Sequence, residues 1–221
     1  VKSTRAIRII TSLSVGVVLI SAFSWLGLGQ VSGAIDRIDV FASLKDRPDK
    51  PNKALNYLLV GSDTREGLTK EQMRALRVGS TATAAGGRSD TMLLIHLSKS
   101  RDRAYIISLP RDSLVTIPKH ISSSDKKTIV SARQGKLNSA FSYGGAPLLI
   151  ETIELATSIK IDHYVEVSFA GFAGIVDALG GIEVCTKVDI DDPKSHLVLS
   201  AGVHTLDGIE ALKYVRTRDF D

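Results

Sequence analysis

RSDTMLLIHLSKSRDRAYIISLPRD, the stretch Arg88–Asp112, decides the fold that we predict for this chain of 221 residues. It contains two short apolar runs, Thr91–Leu97 and Arg103–Leu109, with a polar turn between them. Short runs that are rich in Ile and Leu and bounded by turn residues are typical of strands. If the runs pair as an antiparallel hairpin, the numbers of paired residues sum to about 200, and Asp90 lies opposite Pro110.

Four charged side chains then lie at the open end of the hairpin, namely Arg88, Asp90, Arg111 and Asp112. Two arginines and two carboxylates at one sheet edge can bind an anion together with its metal ion. The same residues are also ordinary turn chemistry, because Asp before a strand and Pro-Arg-Asp after one are common in loops. The hairpin alone leaves both interpretations open.

Other apolar runs, LNYLLV from Leu55 together with MLLIHL and YIISL, indicate strands that need cover on both faces. Helical spacing from Pro147 to Ile159, and again over Phe169–Leu179 and Asp207–Val215, predicts helices that can supply this cover. We therefore expect an α/β (α+β) fold with a mixed central β-sheet between helical layers. Shorter elements are predicted as strands at Val115–Lys119, His163–Val167 and Ile182–Cys185 and as a helix at Thr69–Arg77.

The beginning of the chain indicates a membrane anchor. Three basic residues precede Ile9–Gly29, an uncharged and mostly apolar run that is long enough to cross a bilayer as a helix. A cleaved signal peptide is the alternative. A retained single-pass anchor with its basic flank in the cytoplasm places the rest of the chain outside the cell membrane. The predicted domains are 1–29 (flank and transmembrane helix), 30–54 (extracellular linker) and 55–221 (main domain).

The charge of the chain does not point to nucleic acid. The formal net charge is +4, and the first 29 residues carry three of these charges, since they contain three basic and no acidic residues. The remainder carries only +1 and has no basic stripe interleaved with aromatic residues, which argues against a nucleic-acid partner.

Several motifs together resemble the LytR-CpsA-Psr family, in its actinobacterial form. They occur in the family's order and cover the chain from about Leu55 to its end. The motifs are GSDTR (61–65), GRSDTM (87–92), SLPRDS (108–113), KLNSAFSYGG (136–145), VDALGGIEV (176–184) and LDGIEALKYVRTR (206–218). The family's run beyond the last motif, with a further Asp, Arg and Gln, is incomplete in this sequence, so we expect the catalytic domain, residues 55–221, to be incomplete at its C-terminal end.

The resemblance implies a phosphotransferase that moves a glycopolymer from a polyprenyl-pyrophosphate carrier to a peptidoglycan hydroxyl, outside the membrane. It also implies an apolar pocket for the polyprenyl chain, for which the apolar residues of the two helices at 148–159 and 169–179 are the only sequence support. Two alternatives stay open: a polyprenyl-pyrophosphate hydrolase that uses water as the acceptor, and a non-catalytic module that binds the cell envelope.

The resemblance also implies the roles of individual residues. Asp63 and Asp90 would hold Mg²⁺, with Mn²⁺ as the alternative ion. From the strand pattern, the two aspartates can meet at one sheet edge if Leu55–Gly61 lies parallel beside Arg103–Leu109. The arginines would bind the pyrophosphate. Asp112, next to Arg111, would either orient that arginine or be a plain turn residue. Such roles suit the chemistry, because guanidinium groups match phosphate oxygens and Mg²⁺ prefers carboxylate, phosphate and water oxygens. The implied pyrophosphate ligands are Arg88, Arg111, Arg216 and Arg218.

Arg216 and Arg218 can reach one ligand only if the chain changes conformation near them. In a continuing helix, side chains two residues apart point about 200° away from each other. In an extended chain they face the same side. We therefore expect an extended segment at 216–220, at the same sheet edge as the hairpin arginines. The alternative is a pair of solvated arginines at a helix C-terminus, where they favour the helix dipole.

Overall fold

The structure is a computed structural model that describes residues 37–78, 89–122, 125 and 127–217. The chain divides into two units, Val1–Asp39 and Val40–Asp221, and all the helices and strands described lie in the second. The strands are β1 (Leu55–Ser62), β2 (Ser89–Leu97), β3 (Ala104–Ser108), β4 (Leu114–Ile117), β5 (His120–Ile121), β6 (Ile129–Val130), β7 (Arg133–Lys136), β8 (His163–Val167), β9 (Ile182–Thr186), β10 (Ile190–Asp192), β11 (Leu197–Leu199) and β12 (Gly202–Leu206). The helices are α1 (Lys70–Ala75), α2 (Leu137–Thr157), α3 (Phe169–Ala178) and α4 (Gly208–Arg216).

The central sheet has the strand order β3-β2-β1-β8 and is mixed, because β1 is antiparallel to β2 and parallel to β8. The mixed α/β fold predicted from the sequence is therefore confirmed. Strand β3 departs from the expectation that each apolar strand is covered on both faces, since all five of its residues are exposed. It is an edge strand whose apolar side chains remain on the surface of this chain.

The hairpin of β2 and β3 forms, but its register differs from the predicted one. Ile95 pairs with Ile106 and Leu93 with Ser108, so that paired numbers sum to 201 and the predicted pairing of Asp90 with Pro110 is wrong. The reason is a turn that closes with the amide of Ser98 donating to the carbonyl of Arg103 at 3.0 Å. Arg111 and Asp112 still follow β3 at the end of the hairpin where β2 begins with Ser89 and Asp90.

Helix α2 covers one face of the sheet and builds the main core. Every second residue of β1 and β2 faces this helix, including Leu58, Val60 and Met92. These side chains pack in one cluster with the buried aliphatic residues of α2. Gly145 interrupts the helix with φ 65° and ψ −157°, and Pro147 lies in the first turn after the break, where a missing amide N–H costs little. The predicted helix at 147–159 is thus the second half of α2.

The segment 40–54 belongs to this packed unit. Val40 is buried in the core cluster, with two neighbouring apolar residues packed against it. Arg47 forms an ion pair with Glu154 of α2 at 2.6 Å, and Lys50 forms one with Asp162 at 2.6 Å. The division between linker and catalytic domain at residue 55 stays a prediction, while residues 40–54 contribute to the core.

Helices α3 and α4 pack together beside the antiparallel pair β9 and β12. Asp207 caps α4 by accepting hydrogen bonds from the amides of Ile209 and Glu210. The contact between the helices is so close at Gly208 that an added Cβ would overlap the carbonyl oxygen of Ala173. Helix α4 is therefore fixed at its start by α3.

None of the helices in the described part of the chain has the length and apolar character needed to cross a bilayer. The predicted anchor at Ile9–Gly29 lies outside the described residues.

Candidate functional site

The backbones of Asp63 and Asp90 come together where β1 meets β2. Ser62 pairs with Ser89, and Asp63 follows Ser62 directly. We expected this meeting through β1 lying beside β3, and that part of the prediction is wrong, because β2 lies between them. Direct antiparallel pairing with β2 brings the two aspartates to the same edge by a shorter route.

A β-bulge places Asp90 at this edge. Gly61 pairs with Thr91 while Ser62 pairs with Ser89, so Asp90 is the additional residue of β2 in this ladder. Bulges of this kind occur frequently next to active sites, where they end regular pairing. Among the described residues, the buried hydroxyl of Ser89 has no hydrogen-bond partner, which leaves an unsatisfied oxygen beside the acidic pair.

The two residue types at this edge are ones that magnesium sites use. Two carboxylates from adjacent strands are a common protein contribution to Mg²⁺, which takes its other ligands from phosphate and water. No larger group of three or more His, Cys, Asp or Glu side chains able to hold a metal occurs within the described residues. The side chain of Asp90 lies outside the description, so its part in metal binding stays a prediction.

Arg111 lies in the turn after β3, and this turn is held against the start of α2. The amide of Asn138 donates to the carbonyl of Arg111 at 3.0 Å, and the amide of Leu137 donates to that of Ser113 at 2.9 Å. The side chain of Arg111 is 41% exposed. The turn is thus rigidly placed while the guanidinium remains accessible to a ligand.

Asp112 contacts two cations. Its Oδ2 lies 3.6 Å from Nε of Arg111, and its Oδ1 lies 2.7 Å from Nζ of Lys136. The hydrogen bond from Lys136 holds the pKa of Asp112 below its usual value. The proposed orienting contact with Arg111 is therefore present, but the shorter contact is with Lys136.

Arg216 ends α4 and does not begin an extended segment. The prediction of extended chain from 216 is wrong at this residue, while Thr217 has the extended values φ −65° and ψ 136°. A buried hydrogen bond of 2.7 Å between the hydroxyls of Thr217 and Ser195 fixes the point where the helix ends. The rest of the predicted segment, 218–220, lies outside the described residues.

The guanidinium of Arg216 is half-buried. It lies 5.5 Å from the centre of the Phe169 ring, and its Nη1 donates to the carbonyl of Leu76 at 3.2 Å. Burial lowers the pKa of Arg216, and the nearby charge of Arg65 lowers it further. The guanidinium of Arg216 is therefore fixed at the first turn of α3.

Of the predicted site residues, Asp63, Arg111, Asp112 and Arg216 lie in the described structure, whereas Arg88 and Arg218 lie outside it. Lys136 and Arg65 were missed by the sequence analysis. Lys136 ends a polar strand, RQGK, which lacks the apolar alternation that would have revealed it. Arg65 stands in the quoted motif GSDTR, and its proximity to Asp63 was the available signal.

One apolar surface of the central sheet stays partly open on the face opposite α2. Leu59 pairs with Leu93 and with Val165, and Ile95 pairs with Ile106, so these side chains share one face. Ile106 is 67% exposed. The buried apolar side chains of α2, in contrast, belong to the core.

Comparisons with known proteins agree with the sequence motifs. The LytR_cpsA_psr family model matches residues 32–221. A probable cell wall biosynthesis protein, LcpB of Corynebacterium glutamicum, is 40% identical over 163 residues, which are 74% of this chain and 36% of that protein. The polyisoprenyl-teichoic acid–peptidoglycan teichoic acid transferase TagT of Bacillus subtilis is 33% identical over 202 residues, 89% of this chain and 53% of TagT.

Solved structures of similar proteins point to the same family. The family protein YwtF (TagT) with bound octaprenyl pyrophosphate lipid has a TM-score of 0.55 and 30% identity, over 83% of this chain and 61% of that one. A structure of TagT bound to LIIa-WTA has the same TM-score and identity over 85% of this chain and 59% of that one. This chain spans between a third and two thirds of the length of these relatives. With the family model matched over most of its length, the chain belongs to the LytR_cpsA_psr family.

Proposed function

We propose that this protein is a membrane-anchored extracellular phosphotransferase that moves a glycopolymer from a polyprenyl-pyrophosphate carrier to peptidoglycan. Family membership supports the class of reaction, together with relatives named as teichoic acid–peptidoglycan transferases. The observation that carries the proposal for this chain is the meeting of Asp63 and Asp90 at one sheet edge, with Arg111 and Arg216 as candidate anion ligands.

In the proposed reaction, the arginines bind the pyrophosphate of the carrier lipid. A peptidoglycan hydroxyl attacks the phosphorus next to the glycan and forms a new P–O bond, while the bond from that phosphorus to the bridging oxygen breaks. Polyprenyl phosphate leaves with the electron pair, and the hydroxyl proton passes to solvent. Positioning and charge neutralisation supply most of the acceleration in phosphoryl transfer, which suits a site built from guanidinium groups and carboxylates.

Asp63 and Asp90 are the residues that would hold Mg²⁺ in this reaction. The ion, when bound, would neutralise charge on the phosphate oxygens. Asp63→Asn and Asp90→Asn should each weaken Mg²⁺ binding by about tenfold or more, because each removes a negative charge from the site. Calorimetric titration of the purified chain with Mg²⁺ measures this, and unchanged affinity in both variants would remove the metal role.

The polyprenyl chain is proposed to lie against the partly open apolar face of the sheet around Leu59, Leu93 and Ile95. Support comes from the exposure of that face and from the octaprenyl pyrophosphate bound in a related structure. An apolar patch of this kind on a soluble surface commonly marks a binding site. Mass spectrometry of the purified chain, with and without added polyprenyl phosphate, tests for bound lipid.

The decisive experiment incubates the chain with a lipid-pyrophosphate glycan, with and without peptidoglycan. Glycan linked to peptidoglycan is expected only when the acceptor is present. Release of free glycan phosphate without acceptor would instead identify a hydrolase, and no product with bound lipid would identify a binding module. Arg111→Lys should lose most activity, since lysine keeps the charge but lacks the two-pronged donor geometry. The exposed Arg103→Lys is the matched control.

The proposed location, a single-pass anchor with the domain outside the cell membrane, rests on the basic flank and apolar run at the start of the sequence. Protease added to intact cells should digest the domain. Digestion only after the cytoplasm is opened would reverse the orientation.

A further inference from the structure

A cavity of about 580 Å³ lies between the segment that precedes β1 and the C-terminal half of α2. Its lining includes residues 44–49, Glu151 and Leu155 of α2, and Pro118, which follows β4. The volume is in the range of small-molecule sites, about 300–1,000 Å³. Helix α2 begins at the turn that holds Arg111, whereas this cavity lies at the other end of the helix. The cavity is therefore separate from the candidate reaction site.

Glu151 brings a carboxylate without a counter-ion to this cavity. Within the described part of the chain, its side chain forms no hydrogen bond and no ion pair. Arg47 also lines the cavity, but its guanidinium is bonded to both carboxylate oxygens of Glu154. His120 lies near Glu151, but its Nδ1 donates to the carbonyl of Pro118 at 2.8 Å. Both of these basic groups are thus engaged elsewhere.

The charges around the cavity favour a cationic ligand. Apart from the paired Arg47 and Glu154, the charged residues of the lining are one basic and three acidic ones, namely Lys45, Asp46, Asp49 and Glu151. Burial raises the pKa of Glu151, and the charge of Glu154 raises it further. The ionised form of Glu151 therefore lacks compensation, which a bound cation would supply.

The walls of the cavity favour an organic cation over a metal ion. Their apolar part consists of Leu44, Pro48, Pro118 and Leu155. Leu155 is 58% exposed, which is high for a large aliphatic side chain. No group of three or more His, Cys, Asp or Glu side chains able to hold a metal occurs among the residues that the structure describes. A carboxylate beside aliphatic walls suits an ammonium group on a short aliphatic chain, because the head pairs with Glu151 while the chain leaves water.

We propose that this cavity is a binding site for a primary ammonium group carried on a short aliphatic chain, with Glu151 as its counter-ion. The site goes beyond the transferase reaction and does not depend on it. Such a group occurs in free alkylamines and in the side chains of diamino acids within peptides. The two sources share one chemistry, and probes of each kind distinguish them.

The test is an NMR titration of the purified chain with n-pentylamine at neutral pH and low ionic strength, where the amine is protonated. Methylamine is the short probe and pentanoate is the anionic probe of similar length. Pentylamine should bind at least about tenfold more tightly than methylamine, because each buried methylene group adds to the affinity. Pentanoate should bind at least about tenfold more weakly than pentylamine, since it carries the charge of Glu151. No binding of pentylamine, or equal binding of pentylamine and pentanoate, overturns the proposal.

Substitutions locate the binding. Glu151→Gln should weaken pentylamine binding by about tenfold to a hundredfold, because it removes the charge and keeps the shape. The matched control is Glu183→Gln, which removes the same charge from an exposed position of β9 and should change the affinity less than about twofold. Leu155→Ser should reduce the preference for pentylamine over methylamine, because it removes part of the apolar wall. An affinity of Glu151→Gln within twofold of wild type overturns the proposal.

Thermal melting separates binding from folding. Glu151→Gln should melt at or above the wild-type temperature, because it removes a partly buried charge that has no ion-pair partner in the described structure. Pentylamine should raise the melting temperature of wild type and leave that of Glu151→Gln unchanged. If N-acetyl-lysine methylamide binds as tightly as pentylamine, the ligand is a peptide side chain, and binding of pentylamine alone identifies a free amine. Should Glu151→Gln fail to fold, Leu155→Ser decides, and an unchanged preference for pentylamine over methylamine overturns the proposal.

Discussion

The ion pair between Arg47 and Glu154 gives a quantitative prediction about stability. Glu154 has only 4% of its side chain exposed, and Arg47 has 20%. Nε of Arg47 lies 3.1 Å from one carboxylate oxygen and Nη2 lies 2.6 Å from the other, while the amide of Ile161 donates to Glu154 at 2.8 Å. The replacement Arg47→Ala would leave a buried carboxylate with a single amide donor.

Breaking a buried pair by removing one partner costs about 3–5 kcal/mol. We take the lower end, about 3 kcal/mol, because Arg47 is partly exposed and water can enter the vacated volume. For a domain of this size, this loss lowers the melting temperature by roughly 6–12 °C. Urea unfolding followed by circular dichroism measures the free energy of unfolding directly.

Two variants control for the interpretation. Arg103→Ala removes an arginine that is 72% exposed and paired at 3.8 Å, so it should cost less than about 0.5 kcal/mol. Adding Glu154→Gln to Arg47→Ala should recover part of the loss, because the buried charge is then gone. A free energy of unfolding for Arg47→Ala within about 0.5 kcal/mol of wild type would refute the reasoning.

Three further substitutions test other parts of the fold. Thr217→Val should lower the free energy of unfolding in urea by about 1–3 kcal/mol, because it leaves the buried hydroxyl of Ser195 without its partner. Thr217→Ser should lower it much less, and equal losses in the two variants would contradict this. Gly208→Ala should lower the stability by about 1–3 kcal/mol or more through overlap with α3, and an unchanged melting temperature would show that the helices separate freely. Burial raises the pKa of Asp162, but the hydrogen bond from Lys50 contributes to a net value below the usual 3.8. A carboxyl whose pKa is lowered by folding stabilises the folded state at pH values above its pKa in the unfolded chain. Asp162→Asn should therefore be less stable than wild type near pH 7, and the difference should disappear as the pH falls below 3.8. A difference that persists in acid would refute the ionic origin.

The sequence predicted those elements whose signal is local. Alternating or continuous apolar residues located β1, β2 and β8, and the break at Gly145 with Pro147 located the second half of α2. The small strands β10 and β11 were missed, because runs of three residues carry too little periodicity, and β12 was missed as well. Arg216 stayed helical against our expectation, and basic residues in the last turn of α4 favour this through the helix dipole.

Long-range pairing was the part that the sequence could not determine. The meeting of the Asp63 and Asp90 backbones at one sheet edge was predicted correctly. The strand order that produces it was not, because strand order depends on contacts between distant segments. The register of the hairpin was wrong by one residue, since it is set by the geometry of the turn at Ser98–Arg103, where Arg101 adopts φ 65°. The closeness of Arg65 to Arg216 likewise depends on how α3, α4 and the loop after β1 pack.

The pairing of Ser62 with Ser89 also has a consequence for how members of such a family can diverge. The 26 residues 63–88 connect Ser62 of β1 to Ser89 of β2, and the candidate metal ligands Asp63 and Asp90 lie next to this pair. The entropy of closing a loop grows only with the logarithm of its length, so doubling this loop would cost about 0.6 kcal/mol. Insertions after Val78 are therefore expected to change the stability little and to leave the spacing of the aspartate backbones unchanged. Residues before Val78 are more constrained, because Leu68 and Leu76 are buried against α3 and α4. Evolution can thus vary the surface presented to different glycopolymers here without rebuilding the reaction centre.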